Sequence, residues 1–223
     1  MLEISEHIHV CEALRSLSPS QVTELSSHSE LNSIPKDGTI FVPGDAMDSV
    51  YLLASGAARI THTEANGKRA ILQVIGPAEL FGQCALIDTR RREAQCSASL
   101  DSTVITLPVH SLKRLMGENP RLTSDLMLNI GNIMHGLAHR LASVLLRPKR
   151  QRLLDVLWNL AVTSGVESEN AILIPQVFSH QEFGEMIGAS RETVTITLGQ
   201  LKSEGIIALD GRQIILLPTA NRR

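Results

Sequence analysis

The chain has few cysteines, no long apolar run and no marked excess of charge, and each lack closes off a class of protein. Three cysteines, Cys11, Cys84 and Cys96, are widely spaced and odd in number, which argues against a disulfide framework and for a reducing compartment. No apolar run approaches a membrane span, and the opening M-L-E-I-S-E-H-I-H-V is acidic, without a basic stretch before an apolar core. The expected address is cytoplasmic, with no membrane partner. Lys and Arg number 21 against 23 Asp and Glu, a net charge of −2, so the whole molecule does not advertise nucleic-acid binding. Catalytic signatures are missing as well: there is no nucleophile elbow, phosphate loop or metal-binding His/Cys spacing, so neither an enzyme nor a metal site is expected.

What remains is a chain of 223 residues, 43% hydrophobic, suited to one or two globular domains. Its most informative stretch runs from Ser179 to Gly205. Phe183, Met186 and Ile187 recur at helical spacing, Gly188 interrupts, and Ser190 offers an N-cap hydroxyl for a second helix. In that helix Val194, Leu198 and Leu201 step by four and three and, at roughly 100° per residue, form one buried stripe. The opposite face carries Glu192, Ile196 and Gly199, flanked by Arg191, Thr195 and Lys202. An exposed Arg and Glu at the start of a helix suit a major groove, where Arg forks onto guanine acceptors and Glu accepts from cytosine N4. An ordinary amphipathic pair in a bundle would share the pattern, but I-I-A-L-D-G-R-Q-I-I-L-L follows, two apolar runs around Asp210-Gly211, the signal for a tight hairpin. Helix, turn, helix and hairpin make a winged helix. Upstream, Arg147 to Arg152 (R-P-K-R-Q-R) forms a local basic run, a nucleic-acid footprint or a solvated linker face.

The stretch Q-E-F-G-E-M-I-G-A-S-R-E-T-V, with L-K-S-E-G-I-I and D-G-R-Q-I behind it, resembles the DNA-binding end of the family of the cyclic-AMP receptor protein and the fumarate and nitrate reduction regulator. The rest of the chain is similar in order. Short helices are expected over residues 5–35, with Ser18 and Pro19 opening one of them; glycine-punctuated apolar runs from Lys36 to Leu107, with Asn66-Gly67 as a hairpin, read as a β-roll. Pro120 opens a helix reaching at least Leu146, and Leu126, Ile130, Ile133, Leu137, Leu141 and Val144 form an apolar seam along it, for a partner helix or for the chain's own roll. Arg147-Pro148 breaks that helix, and the run after it supports the winged unit with Trp158 in its core. The resemblance implies an α+β fold: an N-terminal cyclic-nucleotide-binding-like jelly roll (1–116), a dimerisation helix (117–146) and a C-terminal winged helix-turn-helix (147–223).

It also implies a homodimeric regulator that reads a palindromic operator in double-stranded DNA, touches RNA polymerase and is controlled allosterically through the roll. Arg191 and Glu192 match the family's base-reading pair; Thr195 and Ile196 are further base contacts, Ile196 standing where many relatives carry a second arginine. Ser179, His180, Thr193 and Lys202 are phosphate candidates, which set register rather than sequence.

For the effector, F-G-Q-C-A-L-I-D-T-R-R-R-E-A matches the loop that in cyclic-nucleotide binders holds ribose and phosphate. Gly82 is kept, Gln83 replaces the acid, Cys84 follows, Arg92 stands for the arginine and Glu93 sits where a hydroxyl would be; Ile133 and Leu137 replace polar purine contacts. A carboxylate beside a phosphate is repulsive, so cyclic AMP is not expected. Three scattered cysteines cannot supply the four thiolates of an iron–sulfur cluster. His135 and His139, four apart on the long helix, are compatible with haem or with a solvated rim, and Cys84 and Cys96 with a redox pair or with buried hydrophobes. A ligand-sensing module that governs a partner protein without touching DNA is the alternative reading.

Overall fold

The structure, a computed structural model, describes residues 2–87, 90–168, 171–174, 178–211 and 213–217. The chain divides into two compact units, Met1–His62 with Gln73–Leu137, and Thr63–Leu72 with Ala138–Arg223.

In chain order, α1 (Leu2–Val10) and α2 (Pro19–Ser27) lead into strands β1 (Glu30–Ile34), β2 (Thr39–Phe41), β3 (Ser49–Ser55), β4 (Ala58–Thr63), β5 (Arg69–Ile75), β6 (Leu80–Phe81), β7 (Gln95–Ala98) and β8 (Ser102–Pro108). The helices α3 (Val109–Glu118) and α4 (Pro120–Leu146) follow, α4 passing from the first unit to the second between Leu137 and Ala138. The strands form two four-stranded sheets, β1-β8-β3-β6 and β2-β7-β4-β5. Alternation along β3 sends Val50 and Leu52 into a core shared with Ile4, Ile8, Leu25, Ile105, Leu107, Leu112, Leu122 and Leu126. A second cluster fills the roll with Phe41, Leu53, Ile75, Phe81, Cys96 and Val104.

Local signals act as expected at several joints. Ser18 accepts from the Gln21 amide at 3.3 Å while its own amide donates to Gln21 Oε1 at 3.1 Å, a reciprocal cap with Pro19 behind it. At the β4–β5 turn Gly67 takes φ 80° and Asn66 accepts from the Lys68 amide. The helical expectation over 5–35 fails at its end. Residues 30–34 are strand β1, in register with β8 from Glu30↔Thr106 to Ile34↔Ser102, because pairing to a central strand outweighs a mostly polar local sequence.

The second unit holds α5 (Lys149–Ser164), β9 (Val166–Ser168), β10 (Ala171–Ile174), α6 (His180–Ile187), α7 (Arg191–Ser203), β11 (Ile207–Asp210) and β12 (Gln213–Leu216), with the sheet order β11-β12-β10-β9. The wing closes through Asp210↔Gln213 around Gly211, and Arg212 lies outside the described residues. Strands β9 and β10 were not anticipated. Trp158 is half-buried rather than in the core, which Leu153, Leu157 and Leu160 occupy. Much of the basic run is spent inside the unit: Arg147 bonds Asp155 at 2.8 Å and Arg150 pairs with Glu204. On α4, Arg140 donates to the carbonyls of Leu72, Ile71 and Met186. A Cβ at Gly131 or Gly136 of the same helix would meet open space.

Leu126 is 1% exposed and Val10 66%. Urea unfolding of Leu126→Ala is therefore expected to show a loss of about 2–5 kcal/mol, and Val10→Ala a change within about 0.5 kcal/mol; equal costs would contradict this placement.

Candidate nucleic-acid interface

Two capped helices meet at a tight turn. Ser179 opens α6: its hydroxyl accepts from the Glu182 amide at 3.2 Å, and its own amide donates to Glu182 Oε2 at 2.7 Å. Gly188 closes α6 at φ 64°, where a side chain would be strained, and the turn comes so close that a Cβ on Gly184 would lie 2.5 Å from the Ala189 carbonyl oxygen. Ser190 then caps α7, accepting from the Thr193 amide at 3.3 Å. Val194, Leu198 and Leu201 are buried as the periodicity requires, and Thr197 joins them, its hydroxyl donating to the Thr193 carbonyl.

The other face is open. Arg191, Glu192, Thr195, Gly199 and Lys202 are exposed, and Ile196 is 61% exposed, an apolar side chain held in water. The Glu192 carboxyl is held below the usual carboxylate range, first by its own backbone N–H, then by the Ser190 hydroxyl and the charge of Arg191. It is therefore a full anion, able only to accept. The four phosphate candidates differ. Ser179 is engaged in its cap, donating to Glu182 Oε2 at 2.8 Å; Thr193 Oγ1 lies 3.1 Å from Ser190 Oγ; and His180 Nδ1 lies 2.7 Å from Thr195 Oγ1. Lys202 stands exposed in the last turn of α7.

In the roll, Gly82 (φ 78°) opens a short 3-10 turn, Gln83–Leu86. Gln83 is buried, and its amide nitrogen donates to the Leu80 carbonyl at 2.6 Å and to Asn129 Oδ1 on α4 at 2.7 Å. Asn129 was not singled out from the sequence, since nothing local ties it to a residue 46 positions away. Arg92 is buried as well: it donates to the carbonyls of Gly82 and Ser49 and lies 4.4 Å over the Phe41 ring and 5.4 Å from that of Tyr51. Tyr51 stacks in turn between Phe41 and Phe81. Glu93 is exposed and faces Arg90 at 3.6 Å, and Cys84 is exposed too, so neither joins Gly82, Gln83 and Arg92 in the interior. Asp88 and Thr89 of this loop lie outside the described residues. Burial pushes the Cys96 thiol up to about 12 and that of Cys11 to about 11, which keeps both protonated and unreactive, against a redox role for Cys96.

Along α4, Leu126 belongs to the chain's own core, and Ile130 and Ile133 are half-buried. The exposed apolar residues of α4 are Met127 (68%), Leu128 (54%), Met134 (65%), Leu137 (48%), Leu141 (60%), Val144 (46%), Leu145 (72%) and Leu146 (82%). Of these, Met127, Met134, Leu137, Leu141 and Val144 step with Ile130 by three, four, three, four and three, a heptad seam shifted by one residue at two places from the one read in the sequence. His135 and His139 are exposed, and no three His, Cys, Asp or Glu side chains gather as a metal site among the described residues. No described helix is long and apolar enough to cross a membrane.

Comparison with known proteins matches both halves. The cyclic nucleotide-binding domain family matches residues 31–119, and the Crp-like helix-turn-helix domain family matches residues 151–220. The cyclic AMP receptor protein of Thermus thermophilus is 29% identical over 205 residues, 86% of each chain. The CRP-like cAMP-activated global transcriptional regulator of Mycobacterium tuberculosis is 22% identical over 198 residues, 89% of this chain and 88% of that one. Among solved structures, FixK2 from Bradyrhizobium japonicum shares the fold with a TM-score of 0.75 at 22% identity, over 84% of this chain and 92% of its own.

The depressed Glu192 titration is a direct test of the α7 cap. In carbon-detected NMR the Glu192 midpoint is expected below that of an ordinary glutamate, and to rise in Ser190→Ala, which also loses about 1 kcal/mol of stability with its cap. Because the folded value is the lower one, any stability Glu192 adds is present above the unfolded value and lost as pH falls through the folded one.

Proposed function

The chain belongs to the CRP/FNR family of DNA-binding transcription regulators, and from that premise we propose how it reads its operator: as a homodimer that sets one α7 into each of two major-groove segments of an inverted repeat. The observation that carries the proposal is the division of α7, with Val194, Leu198 and Leu201 inside and Arg191, Glu192, Thr195 and Ile196 outside.

On this reading Arg191 forks onto guanine O6 and N7, and the ionised Glu192 accepts from a cytosine N4 amine on the other strand. Ile196 has no hydrogen bond to offer and covers a thymine methyl, so the half-site departs there from operators read by a second arginine. Lys202 neutralises phosphate, with Ser179 and Thr193 as further phosphate candidates. The seam Met127–Ile130–Met134–Leu137–Leu141–Val144 is what a second copy would cover, which supports the dimer.

The β-roll is the sensory part, biasing the balance between DNA-competent and incompetent states, and the DNA-bound dimer acts on RNA polymerase in the cytoplasm. Some relatives are named for activation by cyclic AMP. Here Gln83, which would hold the ribose, is engaged by the Leu80 carbonyl and Asn129, and Arg92, which would hold the phosphate, by the Gly82 and Ser49 carbonyls and an aromatic face, which supports a different effector.

Selection of bound duplexes from a random pool tests the reading: wild type should enrich an inverted repeat. Arg191→Ala is expected to lose about 1–3 kcal/mol on that site and to flatten preference at one base pair; a uniform loss over all sequences would make Arg191 a phosphate contact. In sedimentation, Leu137→Glu with Leu141→Glu is expected to convert dimer to monomer; an unchanged dimer would place the interface elsewhere.

A further inference from the structure

We infer that His180 sets the base preference of Thr195, acting as a positioning residue that fixes the hydroxyl as an acceptor in the groove; the inference rests on the proposed placement of α7. His180 is the first residue of α6 and Thr195 lies in the second turn of α7, yet His180 Nδ1 lies 2.7 Å from Thr195 Oγ1. The same hydroxyl lies 2.9 Å from the Arg191 carbonyl oxygen and donates to it. A carbonyl can only accept, so the single hydroxyl proton goes to Arg191. His180 must then be the donor, carrying its proton on Nδ1, and that donor persists when the ring is protonated.

Two consequences follow for Thr195, which is exposed on the outer face of α7. Threonine in a helix divides between two χ1 rotamers, and the bond from His180 selects one of them. With its proton given to Arg191 and one lone pair taken by His180, the hydroxyl has one lone pair left for the groove. It can accept from an exocyclic amine, adenine N6 or cytosine N4, and cannot donate to guanine O6 or thymine O4. His180 reaches this outcome without itself touching a base.

Two amide isosteres separate this role from a general structural one. The asparagine amide nitrogen stands as many bonds from Cα as Nδ1, and that of glutamine as many as Nε2. His180→Asn keeps the donor to Thr195, whereas His180→Gln removes it and leaves a polar group further out. Selection from a random-core duplex pool, with the full-length protein and with melting curves to establish folding, reads the result. Wild type and His180→Asn should enrich an amine-bearing base at one position of each half-site. His180→Gln and Thr195→Val should each flatten that position by about fivefold, the worth of one hydrogen bond, and leave the Arg191 position unchanged. Combining them should add nothing to Thr195→Val alone.

If His180→Gln keeps the wild-type preference, or His180→Asn loses it as His180→Gln does, the inference is overturned while DNA reading stands. A flattening that spreads over every position would make His180 a phosphate contact and overturn it as well. If wild type enriches no repeat at all, the DNA-reading proposal falls, and the inference with it.

Discussion

Burial of Val194, Leu198 and Leu201 against α5 and α6 is the contact on which the reading half of the molecule depends. A helix has one face to give to its neighbours, and committing these three residues inward turns Arg191, Glu192, Thr195 and Ile196 outward with no further instruction. The caps then set where the helix begins. Gly188 ends α6 and Ser190 starts α7 within three residues, and the approach of Gly184 to the Ala189 carbonyl leaves no room for a side chain between α6 and the turn. Precision at the groove is thus obtained from small residues and hydroxyls rather than from any large contact.

The roll is organised on the opposite principle, with charge taken inside. Arg92 is surrounded by two carbonyl acceptors and two ring faces, and the stacked series Phe41, Tyr51 and Phe81 gives the guanidinium a flat apolar wall. Among the described residues its Nε is nonetheless buried without a partner, so the cation is held rather than fully satisfied. Gln83, neutral where the resemblance would have an acid, can donate to both the roll and α4, something a carboxylate could not do. One substitution therefore changes a ligand group into a strut between the turn at Gly82 and the long helix.

Much of this was legible in the sequence, because the signals were local. The stripe on α7, the caps at Ser18 and Ser190, the wing around Asp210-Gly211 and the break at Pro148 each follow from spacing or from the chemistry of one or two residues. What was not legible depended on partners far along the chain. β1 is a polar run made into a strand by β8, and β10 is a four-residue apolar run too short for its period to be read. On α4 two apolar stripes compete one residue apart; only the packing of Leu122 and Leu126 into the roll decides that Met127 and Met134, not Leu126 and Ile133, lie on the outward seam. The pairing of His180 with Thr195 spans two elements and a turn, and no local pattern announces it.

The open glycines of α4 give that helix an uneven stiffness. Gly131 and Gly136 have no neighbour to justify a missing side chain, and each weakens a helix by about 1 kcal/mol relative to alanine. They bracket Met134, so in a lone chain this segment is the weakest of the rod's interior and exchanges its amide protons sooner than the turns beside it. In the proposed dimer, cover over the methionine lends the segment a firmness its own residues do not supply.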